Sequence, residues 1–158
     1  MISFTLKDDA LSDRKQMTHH MDQGVVDALG GFREGHLAIL LYPGFTALDV
    51  FGPYHMFVNL MGERTHLVAK TKEPIAADTG VRVLPDMTFD ECPDDLLVLC
   101  VPGGTEGTLH VMQDAESLTF VRSRGKRAQW VASVCTGSLV LAAAGLLEGY
   151  QATSHWVA

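Results

Sequence analysis

Cys135 lies between an apolar run, QWVASV, and a small-residue stretch, TGSLVLAAAGLLEG, that closes on Gly149. A G-x-S-x-G elbow lifts its nucleophile clear of a sheet because small residues two before and two after it permit a tight, strained turn. Ser133, Cys135 and Gly137 reproduce that size pattern with sulfur as the nucleophile. The helix predicted to follow presents its positive end to the sulfur, which favours a thiolate. A free cysteine is more commonly buried and inert; here strand, small flanks and helix start coincide, so the spacing points to a nucleophile.

Asp49 is the second group with chemical potential. A carboxylate within FTALDVFGPYHMF is either a helix-start residue or a group placed to bond the thiolate and move a proton. Pro102, Gly103 and Gly104 form either a plain tight turn or a loop whose N–H groups approach a ligand. On the second reading the Gly104 and Thr136 N–H groups face developing negative charge. His155 ends QATSH, read as a short strand returning beside the elbow; it is either a Cys-His partner or a structural residue at a strand end.

Elements that would position these groups can be read along the chain. HLAILLYPG is a continuous apolar run ended by Pro-Gly, as expected of a strand covered on both faces. FTALDVFGPYHMFVNLMG then predicts a helix with Pro53 in its first turn. THLVAKT is a second strand, and GVRVLPDMTFDEC a hairpin or edge excursion that Pro85 keeps off a central position. DDLLVLCVPGG repeats the strand-to-glycine pattern, and Asp114 caps a helix over DAESLTFVRSRGKRA. QWVASVC and TGSLVLAAAGLLEGY complete the alternation, with Gly149 as the left-handed residue that ends the last helix. The pattern predicts an α/β fold with a mainly parallel sheet flanked by helices. Chemistry in such sheets gathers at the carboxyl ends of the strands, which here carry YPGFTALD, VPGGTEG and VCTGS.

The chain has 158 residues, 47% of them hydrophobic, enough for one domain with a real core. A net charge of -7 argues against nucleic acid or an anionic membrane as partner. Arg122, Arg124, Lys126 and Arg127 read as the solvated end of a helix. Cys92, Cys100 and Cys135 form no C-x-x-C pair, which gives neither a disulfide framework nor a zinc site and suits a reducing compartment. Residues 1–35 read as a polar extension, in which VVDALGGF could form a short helix and His19-His20 has no nearby third ligand. That segment lacks the apolar core of a signal peptide, and no apolar run approaches the roughly 20 residues of a membrane span. The expectation is a soluble, cytoplasmic protein with its α/β domain over residues 36–158.

LDVFGP, VPGGT and above all SVCTGSLVLAAAGLLEGYQATSHW resemble the PfpI-like superfamily, whose fold is flavodoxin-like and shared with class I glutamine amidotransferases. The similarity covers roughly His36 to Trp156 and is nearest to the isocyanide hydratase branch. The amidase-like domains of AraC-type transcriptional regulators share all three motifs. By this resemblance Cys135 is the nucleophile and Thr136 the residue whose backbone follows it. Asp49 stands where isocyanide hydratases have aspartate and many other members glutamate. His155 matches the superfamily's histidine near the cysteine. The implied reaction adds water to R–N≡C to give an N-substituted formamide, with no metal or organic cofactor. The implied partners are a small-molecule substrate and a second copy of the chain in a homodimer. A ligand-sensing or dimerisation domain of a regulator is the alternative, and a cysteine that handles reactive aldehydes or senses oxidation is a third. Members of the family continue past the THW block, so the resemblance also implies a C-terminally incomplete fold.

Overall fold

Two strands with almost no polar interruption form the centre of the molecule, because each is covered by neighbours on both sides. They are β2 (His36–Leu40) and β7 (Leu96–Val101), paired in parallel. The computed structural model describes residues 2–5, 35–61 and 64–156. On one side of β2 the sheet continues with β3 (Thr65–Ala69) and β6 (Met87–Thr88); beyond β7 comes β8 (Trp130–Val134), and all these pairings are parallel. Leu37, Ile39, Leu40, Leu99 and Val101 have essentially no exposure and form the middle of the core.

The segment read as a polar extension contributes a strand. Residues Ile2–Thr5 form β1, antiparallel on β8 from Ile2 opposite Val134 to Thr5 opposite Val131. The sheet order is therefore β1-β8-β7-β2-β3-β6. Four residues are too few to show a period. The short helix expected over VVDALGGF and the pair His19-His20 lie outside the described residues.

Helix α1 (Ala47–Met61) begins six residues before Pro53, which lies in its interior rather than its first turn. The start is set from a distance: the Asp78 carboxylate accepts the Ala47 N–H at 3.1 Å, and the Asp78 N–H donates to the Phe45 carbonyl at 2.9 Å. Asp78 belongs to the turn between β4 (Ile75–Ala76) and β5 (Arg82–Val83), an antiparallel pair separate from the main sheet. The expected excursion thus divides into this hairpin and the edge strand β6.

Between β7 and β8 run α2 (Thr105–Val111) and α3 (Ala115–Arg127), and α4 (Gly137–Ala143) follows β8. Helix α4 ends at Gly145 (φ 73°), earlier than Gly149, which also has positive φ but lies in the next turn. The Gly145 N–H donates to the Ala142 carbonyl and the Leu146 N–H to the Leu141 carbonyl, the paired bonds of a Schellman ending. The basic end of α3 is not a free patch. Arg122 donates to the Ala144 carbonyl, Arg124 to the Phe89 and Cys92 carbonyls and to Asp94, and Arg127 to Asp94 and Asp95. Among the described residues no helix is long and apolar enough to cross a membrane.

Candidate active site

The chain runs from β2 to β3 on one side and returns through β7 to β8 on the other, so the order reverses between β2 and β7. Outside the carboxyl ends of strands at such a reversal lies the crevice where α/β sheets hold ligands. The loops after β2, β7 and β8 meet there: the Thr46 N–H donates to the Gly103 carbonyl at 2.8 Å, and the Gly104 N–H to Thr136 Oγ1 at 3.1 Å.

Cys135 has φ 54°, the only positive φ among the described non-glycine residues. A side chain held in the left-handed region is strained, and the surrounding structure must impose it. The neighbours do so. A Cβ on Gly137 would collide with the Val101 carbonyl oxygen of β7, so glycine there lets α4 start directly against the sheet. Cys135 is half-buried, whereas Cys92 and Cys100 are buried, with burial pushing the Cys92 thiol up and the Cys100 thiol to about 12. Of the three cysteines only Cys135 is not buried.

Asp49 is the helix-start residue its sequence context allowed, and it also faces the elbow. It lies in the first turn of α1, and its Oδ2 and the Cys135 Cβ border the same small gap, each 2.8 Å from where a Cβ on Gly103 would lie. Its Oδ2 also accepts the Gly103 N–H at 3.1 Å. Burial raises its pKa from the ordinary aspartate value, against the pull of the Gly103 hydrogen bond and of nearby Cys135. A carboxyl group that keeps its proton to higher pH than usual, beside a sulfur, is equipped to deliver and recover that proton.

The two glycines of the β7 loop differ in role. A Cβ on Gly103 would lie 2.8 Å from Asp49 Oδ2, from Cys135 Cβ and from the Thr136 nitrogen, so three groups converge on its open side. Gly104 faces elsewhere, its would-be Cβ 2.9 Å from Phe45 Cα. Its N–H is taken by the Thr136 hydroxyl, which corrects the expectation that it faces developing charge. The tight passage of Gly104 beneath the loop after β2 is what aims that N–H at Thr136.

Two residues missed by sequence reasoning complete the site. Tyr42 Oη donates to the Pro102 carbonyl at 2.8 Å and lies 3.3 Å from Thr108 Oγ1, which lies 2.8 Å from Thr136 Oγ1. The available signal was weak: a tyrosine ending an apolar strand needs a partner for its hydroxyl once buried. Nothing local marks Thr108.

Residues 36–158 match the DJ-1/PfpI family along their whole length. The chain belongs to that family. Isonitrile hydratase of Pseudomonas putida is 47% identical over 120 residues, 76% of this chain and 52% of the hydratase. The solved structure of a THiJ/PfpI family protein from Pseudomonas syringae superposes with a TM-score of 0.78 at 45% identity, covering 92% of this chain and 58% of that one. The transcriptional regulator GbdR of Pseudomonas aeruginosa is 29% identical over 127 residues, 76% of this chain and 34% of the regulator. The chain therefore spans about half the length of the first two.

The DJ-1/PfpI match includes the segment that carries His155, which is not a strand here. Residues 151–155 pass the elbow without sheet pairing, and Ser154 Oγ donates to the Cys135 carbonyl at 3.5 Å. His155 is half-buried, with its ring 5.6 Å from that of Trp156. A cavity of about 470 Å³ is lined by Tyr42, Lys70, Ile75, His110 and Asp114 among others, but not by Cys135. Asp49 is likewise absent from its lining. Among the described residues no group of three or more His, Cys, Asp and Glu could hold a metal ion.

Proposed function

We propose that this chain carries the hydration site of an isocyanide hydratase, converting R–N≡C and water to R–NH–CHO without a cofactor. The observation that carries the reading is the convergence of Asp49 Oδ2, the Cys135 side chain and the Thr136 nitrogen on Gly103 at a strained elbow. The 47% identity to isonitrile hydratase supports its substrate class.

In the proposed mechanism Cys135 sulfur bonds to the terminal isocyanide carbon, and Asp49 places a proton on that carbon. The product is a thioimidate, Cys135–S–CH=N–R, with all atoms of thiol and isocyanide retained. Asp49, now ionised, draws a proton from water as the water oxygen attacks the same carbon. Asp49 passes that proton to the nitrogen, giving Cys135–S–CH(OH)–NH–R; collapse then breaks the carbon–sulfur bond as the hydroxyl proton moves through Asp49 to sulfur, leaving R–NH–CHO. The Thr136 N–H, on the open side of Gly103, is the backbone donor for charge developing on the way. Gly103 supplies the space, and His155 borders the elbow on its far segment.

A homodimer is part of the proposal. Leu48, Phe51 and Met56 lie exposed along one broad face of α1 beside Asp49, and sedimentation velocity tests the state. The second reading, a ligand-sensing domain of a regulator, draws on the similarity to GbdR; it retains the elbow without turnover.

Intact-mass analysis separates the two. Wild-type chain quenched with acid during exposure to a simple alkyl isocyanide should carry one substrate mass on the Cys135 peptide, and Asp49→Asn, which lacks the proton donor of the first step, should carry far less. An unmodified Cys135 in the quenched wild-type chain contradicts the proposed intermediate.

A further inference from the structure

We propose that Tyr42 and Thr108 are positioning residues of this site, holding Thr136 and the Cys135 elbow against the Pro102–Gly104 loop through a one-way chain of hydroxyl groups. The proposal rests on the reading above for what the site does, but its geometry stands apart from any substrate.

Counting protons fixes the direction of the chain. Tyr42 has one hydroxyl proton, given to the Pro102 carbonyl at 2.8 Å. The 3.3 Å contact between Tyr42 Oη and Thr108 Oγ1 must then use the Thr108 proton. That leaves the 2.8 Å contact between Thr108 and Thr136 to the Thr136 proton. Thr136 Oγ1 in turn accepts the Gly104 N–H at 3.1 Å. The order is Gly104 N–H, Thr136 O–H, Thr108 O–H, Tyr42 O–H, Pro102 carbonyl, with each hydroxyl donating once and accepting once. Both ends lie in the loop after β7, so the chain closes a ring through the loop after β2, helix α2 and the elbow.

Two consequences follow from that direction. The Thr136 hydroxyl proton is directed at Thr108 and away from the reacting carbon, so Thr136 serves the substrate through its backbone and the architecture through its side chain. Tyr42 and Thr108 are 3% and 1% exposed, so water cannot replace a lost member cheaply. Burial raises the Tyr42 pKa, which keeps the phenol a donor throughout the working range. Neither residue is offered as touching substrate; both act by fixing the register of loop and elbow, and small misplacements of a nucleophile are costly.

The test uses the full chain with Tyr42→Phe, Thr108→Val and Thr108→Ser, at a temperature where circular dichroism shows all of them folded. Two quantities are read: kcat and KM for an alkyl isocyanide, and the second-order rate of Cys135 alkylation by iodoacetamide, which needs no hydratase activity. Deleting either hydroxyl removes two hydrogen bonds of the chain and is expected to slow alkylation and kcat in Tyr42→Phe and Thr108→Val by about fivefold, with KM little changed. Thr108→Ser keeps the hydroxyl and should stay near the wild-type rates. Wild-type alkylation rates in both Tyr42→Phe and Thr108→Val overturn the proposal, whatever happens to their melting temperatures. So does a Thr108→Ser variant as slow as Thr108→Val. Slowed alkylation in a protein that hydrates no isocyanide upholds the network and refutes the hydratase reading, so the two failures are distinguishable.

Discussion

Gly103 and Cys135 pass so closely that a methyl group on Gly103 would lie 2.8 Å from Cys135 Cβ. The same methyl would press equally on Asp49 Oδ2 and the Thr136 nitrogen. Gly103 is therefore the space in which Asp49, Cys135 and the Thr136 nitrogen meet.

Gly103→Ala tests that convergence. Overpacking of this kind costs about 1–3 kcal/mol, and a displacement near 1 Å in a reacting group can cost about 10²-fold in rate. The expected outcome is a folded variant with modestly lowered urea midpoint and a kcat/KM reduced about 10²-fold. Unchanged activity would show that the three groups do not act together.

Asp49→Asn separates stability from activity. Because burial raises the Asp49 pKa in the folded state, the folded protein binds that proton more tightly than the unfolded chain. Its contribution is therefore fully present at pH below the ordinary carboxylate range and declines as pH rises through the raised value. The variant lacks that decline. Its melting temperature relative to wild type should improve from acid to neutral pH, while turnover falls about 10²–10⁴-fold. Thermal melts across pH check the sign; a relative loss towards neutral pH contradicts it.

The elbow's φ of 54° gives a comparison of two inactive variants. Holding an L-residue in the left-handed region costs about 1–2 kcal/mol, which glycine avoids. Cys135→Gly should thus be more stable than Cys135→Ala by about 1 kcal/mol in urea unfolding. An alanine variant of equal or greater stability would mean that the elbow is not strained.

His66 gives a prediction remote from the site. Its pKa is lowered by burial and by His36, whose Nδ1 lies 2.9 Å from His66 Nε2, while Asp86 pulls the other way. The folded state thus binds this proton less readily than the unfolded chain, whose value is 6.5. Its stabilising effect is complete above that value and is lost as pH falls through the lowered one. His66→Gln should flatten the fall in urea midpoint below neutrality; an unchanged slope would assign the acid sensitivity elsewhere.

The parts legible in sequence were those in which neighbours along the chain cause the structure. LAIL and LLVLCV are apolar without interruption because β2 and β7 are central, and SVCTG carries the small residues its own turn requires. What local reading missed depends on partners far along the chain. The start of α1 is set by Asp78, 31 residues after Ala47. The Gly104 N–H is claimed by Thr136, 32 residues on, and Tyr42 reaches Pro102 across 60 residues. The basic run on α3 looked solvated because its acceptors, among them Asp94 and the Ala144 carbonyl, come from other elements. Asp49 could be placed on a helix from its context, but its approach to Cys135 around Gly103 exists only because the loops after β2, β7 and β8 meet over the sheet.

The central claim is that Cys135 is the nucleophile that hydrates an isocyanide. The most direct test is conversion of a simple alkyl isocyanide to its formamide by the purified chain, followed by mass spectrometry beside Cys135→Ala. The account predicts formamide produced catalytically by the wild-type chain and none above the uncatalysed background from the variant. Equal formamide from both would contradict it, as would an intact substrate in the presence of folded wild-type protein.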